Sequence, residues 1–221
     1  MILDGIQKAG IRDISRENLL ICAIHTHTGP EVRLGRSGAN GEYPPFAAER
    51  AVEALQDALA NFREGELEYG LTADHRFIFN RRYWMKNGKV LTNPGKLNPE
   101  ILRPEGEIDP EIPLMGIRCN GKLAVLVCNI VNHTDTIGGN GVSADWPGFL
   151  RRSIQADLGE GSMLMPLIGA SGNINHFDVS TNKPQTQYAE AERIGTGYAE
   201  TIRKAIPEMR PVEGDSFRTV F

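Results

Sequence analysis

Two histidines stand two residues apart where an apolar run ends: Leu19-Leu20-Ile21-Cys22-Ala23-Ile24 leads into His25-Thr26-His27-Thr28-Gly29-Pro30. Imidazole serves as acid, base and the commonest metal ligand, and it suits zinc well. A strand over 19–24 that carries its alternation on through the histidines puts both rings on one face. A pair of imidazoles at the mouth of a buried strand fits a metal centre or a catalytic pair. His133 likewise follows an apolar run, in Val131-Asn132-His133-Thr134-Asp135. Catalytic zinc sites commonly use three protein ligands and leave a position for water. The ion lowers that water's pKa to about 7 and polarises a carbonyl, which is what hydrolysis of an amide or ester needs.

Other polar residues are candidates with plain structural alternatives. Asp135 and Asp145 can ligate a metal or orient a histidine, and Asp145 equally fits a helix cap. Arg81 and Arg82 suit a substrate anion or an oxyanion, or form a solvated pair. His176 and His75 each fit a hydrogen-bonded structural role. The turn Gly169-Ala170-Ser171-Gly172 lacks the glycine and lysine spacing of nucleotide loops, so a nucleotide is not expected. Its serine is also misplaced for a Gly-x-Ser-x-Gly elbow.

The elements that must hold these residues alternate between helix and strand. After the 19–24 strand, residues 31–45 carry Gly35, Gly38, Gly41, Pro44 and Pro45 and read as a functional loop. Residues 46–62 form a helix with Val52, Leu55, Leu59 and Phe62 on its apolar face. Short strands follow at 66–72 and 76–80, then a long polar connection over 81–113 ordered by prolines. Residues 114–119 and 123–131 make a hairpin around Asn120-Gly121. Its second strand is apolar enough to be buried on both faces. A helix over 146–158 starts after Asp145, with Pro147 in its first turn and Gly159 as its stop. Pro166 marks the strand at 162–168 as an edge or a bulge. A final helix, 187–206, buries Ala191, Ile194, Tyr198 and Ile202. The predicted class is α/β, with a mixed or mostly parallel central sheet and flanking helices.

A chain of 221 residues that is 40% hydrophobic can bury one sizeable core, so 1–221 is expected to be part of a single domain. The net charge of -4 argues against nucleic acid or an anionic membrane as the main partner. No apolar run approaches about 18 residues, so no transmembrane segment is expected. Three cysteines give no disulfide framework, and Cys22 and Cys128 read as small core residues. The start reads as the tail of an amphipathic helix closed by Gly10, and 217–221 as a strand just begun. The sequence is therefore expected to be a fragment, with a sheet incomplete at both ends.

Taken together, several segments resemble the neutral/alkaline, non-lysosomal ceramidase-like family. His25-Thr26-His27-Thr28-Gly29-Pro30 looks like that family's Thr-His-Thr-His-Ser-Gly-Pro, and Asn80-Arg81 like its Asn-Arg. Val131-Asn132-His133-Thr134 matches its second strand-end histidine, and Ser143-Ala144-Asp145 its Ser-Gly-Asp. Gly172-Asn173-Ile174-Asn175 falls on its Gly-Asp-Val-Ser. The resemblance implies a zinc-dependent amidase, Zn2+ held by His25 and His133, and His27 and Arg81 on the substrate side. Asn175 takes the catalytic serine's place, and His176 follows it where the family has proline. An amide is no nucleophile, so either water activated by the metal attacks directly or the substrate is not ceramide.

The family completes its zinc shell with a Glu and a Tyr later in the catalytic domain, and no residue here matches them. The resemblance therefore implies that this stretch alone binds zinc poorly and is inactive. The leading reading is a zinc-dependent hydrolase of amide-type, non-peptide C–N bonds in a small-molecule or lipid-like substrate. Two alternatives stand beside it: a degenerate, non-catalytic ligand-binding member of the family, and a barrel-type metal-dependent amidohydrolase.

Overall fold

The computed structural model describes residues 1–33, 35 and 39–214, with 39 and 40 described by backbone alone. Gly38 of the expected loop and the expected strand at 217–221 lie outside the described residues. The chain forms two compact units. Of the described residues, one comprises those within 1–22 and 29–64 together with 213–214; the other comprises 23–28 and 65–212.

The first unit holds helices α1 (Ile2–Lys8) and α2 (Ala39–Ala60). Ile6 is buried, and Gly5 lets α1 approach Val52 of α2 closely. Helix α2 begins earlier than residue 46 and takes up Pro44 and Pro45. These prolines are its sixth and seventh residues, past the four positions that lack a helical acceptor, so each removes one N–H from the helix ladder. Leu59 and Phe62 are exposed, so the expected apolar face is covered only around Val52 and Leu55.

The second unit runs β1 (Glu66–Ala73), β2 (Phe79–Asn80), β3 (Arg82–Met85), β4 (Val90–Thr92) and β5 (Ile101–Pro104). It continues with β6 (Glu111–Cys119), β7 (Lys122–Ile130), α3 (Asp145–Leu158) and β8 (Met163–Ile168). The last elements are β9 (Ile174–Asn175), α4 (Gln187–Ala205) and β10 (Arg210–Pro211). The main sheet has the order β10-β1-β6-β7-β8. Every pair in it is antiparallel except β7–β8, so the sheet is mixed, as expected of the α/β class, and mostly antiparallel. An open five-stranded sheet is not the closed ring of parallel strands that the barrel-type alternative requires.

Local chemistry explains most of these elements. Asn120 and Gly121 have φ of 49° and 75°, the left-handed pair that a two-residue hairpin turn needs. Pro166 sits in β8, an edge strand, where a missing N–H leaves no ladder bond unmade. Leu126, Cys128 and Ile130 of β7 are buried against Trp146, Leu150 and Ile154 of α3 and Ile194, Tyr198 and Ile202 of α4. Burial pushes the Cys128 thiol up to about 12.

Four expectations are corrected. Residues 19–24 form no strand. Leu20 is 69% and Ile21 61% exposed, Cys22 is exposed rather than core, and His25 at φ 59° breaks the extended backbone. Residues 81–113 are not a loose connection, since β3 pairs with β4 and β5 in a second antiparallel sheet. Strand β7 is buried on one face only. Both flanking helices cover that face, while Val125 and Val127 on the other are half-buried beside the exposed Met115, Met163 and Met165. Asp145 is not the N-cap of α3, a place taken by Ala144. Its carboxylate instead accepts from the backbone N–H groups of Ile137 and Trp146.

Helices α3 and α4 cross where α4 carries Gly195. A Cβ there would stand 2.5 Å from the Trp146 carbonyl oxygen and 2.7 Å from the Leu150 nitrogen, both backbone atoms with no room to move. Gly195→Ala should therefore destabilise the protein despite its better helix propensity. Overpacking of this kind costs about 1–3 kcal/mol, roughly 2–4 °C of melting temperature per kcal/mol at this chain length. Thermal denaturation checks it; an unchanged or raised midpoint would contradict the close crossing.

Candidate metal centre

The site assembles at the carboxyl ends of the two parallel strands. Strand β7 delivers residues 131–136 there, and β8 delivers the turn 169–173 that leads into β9. In open α/β sheets this edge is where ligands bind. The two loops are fastened to each other: His133 Nδ1 lies 3.0 Å from the Ser171 carbonyl, and Gly169 N donates to the Ile130 carbonyl at 2.9 Å. A carbonyl only accepts, so the His133 proton sits on Nδ1 and the Nε2 lone pair is free. From the other side, Trp146 Nε1 donates to the His133 carbonyl at 2.8 Å.

Residues 23–28 lie against the 131–136 loop without forming a ladder. Thr134 Oγ1 donates to the Ile24 carbonyl at 2.7 Å, and His27 N to the Thr134 carbonyl at 3.2 Å. Thr26 Oγ1 donates to the Ser143 carbonyl at 2.7 Å, and Ser143 N returns a bond to Thr28. These anchors hold the left-handed turn at His25. The two rings meet because the backbone folds, not because a strand alternates.

Three imidazoles converge. His25 Nε2 lies 3.1 Å from His133 Nε2, and His27 Nε2 lies 3.4 Å from His25 Nε2. One nitrogen from each ring falls within 4.8 Å of both others. Two nitrogens about 2.0–2.1 Å from a tetrahedral zinc stand roughly 3.4 Å apart, so the donor spacing fits one ion. The tautomer of His133 fits as well, because a ligating histidine typically donates its other N–H to a carbonyl or carboxylate. His25 and His27 are exposed while His133 is buried, which leaves one open side to the cluster.

The remaining candidates separate clearly. Arg81 reaches the cluster: its Nε and Nη2 donate to the Gly172 carbonyl at 3.0 and 2.8 Å, and Nη1 faces His133 Nε2 at 3.5 Å. Pairing of β2 with β9, and of Arg81 N with the Asn173 carbonyl, brings it there. Arg82 points away into an ion pair with Glu105. Asn175 is fully buried, with Nδ2 donating to Asn93 Oδ1 at 2.9 Å and Oδ1 accepting from Phe177 N. Asp135 stands behind the histidines, 3.2 Å from His176 Nδ1. His75 is exposed on the turn after β1 and takes no part in the cluster.

Three supporting residues carry no signal in the sequence. Trp146 reads only as a helix residue, Asn93 only as part of an Asn-Pro-Gly turn, and Ser171 contributes nothing but its carbonyl. Burial raises the Asp135 carboxyl, but His176, then His133 and His27, outweigh it and hold the group below its ordinary value. Burial holds the His133 imidazole below its ordinary value, aided by Arg81 and His25, against the Ser171 carbonyl and Asp135, which raise it.

A three-histidine cluster on the carboxyl edge of a mixed α/β sheet defines a candidate metal centre. No family model and no curated protein matches the chain. Among solved structures it is similar to neutral ceramidase from Pseudomonas aeruginosa, at 19% identity and a TM-score of 0.70, over 94% of this chain and 34% of that one. It is also similar to a ceramidase complexed with C2, at 18% identity and a TM-score of 0.71, over 94% of this chain and 33% of that one. The chain thus spans about a third of the length of these structures. The likeness establishes the fold, and it bears out in structure the resemblance read from the motifs.

The depressed His133 has a consequence for stability. Below the ordinary value of 6.5 the unfolded chain takes up a proton that folded His133 resists, so stability is lost as pH falls through that point. Metal-free protein should melt at lower temperature as pH drops from about 7 to 5, and His133→Gln should flatten that slope. Parallel pH profiles for the two proteins would contradict the assignment.

Proposed function

We propose that the chain carries the histidine site of a zinc-dependent hydrolase acting on amide-type, non-peptide C–N bonds in a small-molecule or lipid-like substrate. The carrying observation is the convergence of His25, His27 and His133 through their ring nitrogens. The fold shared with ceramidase structures and the motif resemblance support the amide class.

In this reading Nε2 of His25 and of His133 hold the ion. Zinc, when bound, supplies a Lewis acid beside the scissile carbonyl and lowers the pKa of a water to about 7. The chain's own residues do the rest. The Ser171 carbonyl keeps the His133 proton on Nδ1, so that Nε2 stays a donor to the metal. Arg81 is clamped on the Gly172 carbonyl by two of its nitrogens, which leaves Nη1 to stabilise negative charge growing on the carbonyl oxygen. His27, exposed at the rim, hands a proton to the departing amine. Asn175 positions: its amide joins β9 to Asn93.

That buried amide also favours a second reading, a non-catalytic relative that binds a ligand at the same place. Metal analysis of the intact protein separates the two. About one zinc per chain is expected, with His25→Ala and His133→Ala each losing both the metal and turnover of a simple amide substrate. Asn175→Ala should keep the zinc and retain measurable turnover. Absence of zinc from wild-type protein purified without chelators would favour the binding module. Loss of all activity in Asn175→Ala with zinc retained would give that side chain a direct chemical part.

A further inference from the structure

The small sheet of β3, β4 and β5 holds none of the histidines, yet it grows out of their edge. Arg81 stands immediately before β3, and Asn93, just after β4, donates its N–H to the Arg81 carbonyl at 2.7 Å. Strand β3 runs from there to the turn at 86–89. At about 3.3 Å per residue, that turn stands roughly 15 Å from Arg81.

The two faces of this sheet differ. Tyr83 and Met85 are buried on the inner one. On the outer one the register sets Trp84 between Val90 and Arg103, with Arg82 and Thr92 beside them. The guanidinium of the exposed Arg103 lies over the Trp84 ring, 5.5 Å from its centroid. Each edge strand carries an exposed leucine, Leu91 on β4 at 45% and Leu102 on β5 at 63%. Lys86 and Lys89 are exposed in the turn; Glu100 lies 4.0 Å from the Lys86 amine. Residues 81–105 hold six lysines and arginines against Glu100 and Glu105, a net of +4 in a chain whose total is -4, so the remainder carries -8. The charge of the whole chain conceals a basic patch.

We propose that this sheet docks on an anionic lipid surface, with Trp84 and the two leucines in the headgroup region and Lys86, Lys89 and Arg103 meeting the lipid charges. Tryptophan settles at that depth, and long basic side chains lay their stems on apolar surface while the charged ends stay in water. Each basic residue near such a surface strengthens binding about fivefold. A nucleic acid would use the cations and leave the leucines in water. Docking does not depend on the metal-site reading. Its use does rest on that reading: it brings the histidines near a lipid-like amide held in the same surface.

Co-sedimentation of the intact, metal-free protein with vesicles tests the proposal. An equimolar mixture of phosphatidylserine and phosphatidylcholine should bind it about 100-fold more tightly than phosphatidylcholine alone, and added salt should narrow the difference. Lys86→Gln with Lys89→Gln should weaken binding to the mixed vesicles about 25-fold. Lys122→Gln with Lys204→Gln, the same change of charge on β7 and α4, should leave it unaltered. Leu91→Ser with Leu102→Ser should weaken it at low and high salt alike. Circular dichroism reports whether each variant folds, and the lysine pair keeps the test standing if the leucine pair does not. No binding to the mixed vesicles, or wild-type binding by the folded Lys86, Lys89 variant, overturns the proposal and leaves the metal site untouched. An equal loss in the Lys122, Lys204 variant also overturns it, by reducing the effect to total charge. Unaltered binding in the folded leucine variant overturns it in favour of a plain polyanion site, of the kind a nucleic acid fills.

Discussion

The site depends on one hydrogen bond, from His133 Nδ1 to the Ser171 carbonyl. It closes the gap between the loops that leave two parallel strands and decides which nitrogen of His133 is free. Parallel pairing of β7 and β8 makes the bond possible, because both strands end at the same edge. The close crossing of α3 and α4 feeds into the same point, since it seats Trp146, whose indole holds the His133 carbonyl. A ring fixed at its backbone and at one nitrogen has little freedom left. The other two histidines are then brought to it by residues 23–28, through Thr134 and Ser143.

Much of this arrangement was legible in the sequence, for uneven reasons. The hairpin was legible because Asn120-Gly121 selects a turn by backbone sterics alone. Helix α4 was legible because its apolar spacing matched a buried face. His25 and His27 were recognised as a pair, yet by the wrong geometry. An apolar run looks like a strand, but a strand requires a neighbour to bond with, and in the described structure 19–24 has none. The small sheet of β3, β4 and β5 was hidden for the opposite reason. Its strands are only three or four residues long, too short for any alternation to show.

The residues that tune the site were the least legible. Ser171 and Gly172 act through carbonyls, which every residue has, and only the fold selects which carbonyl meets which ring. Arg81 and Arg82 are adjacent and alike in chemistry; a strand pairing sends one to the histidines and the other to Glu105. Asn175 and His176 depart together from the motif they otherwise resemble, and the structure buries both. The amide is bonded at each end, and the imidazole faces Asp135. A polar group in a core must find partners or an opposite charge, so the two substitutions carry changes in their surroundings with them.

The central claim is that His25, His27 and His133 surround one metal position. Anomalous scattering at the zinc edge, from crystals of the intact protein grown with zinc, tests this most directly. The account predicts a single strong peak about 2.0–2.1 Å from Nε2 of His25 and of His133, with His27 beside it. No peak among the three rings, or a zinc held elsewhere while His25 and His133 remain bonded to each other, would contradict it.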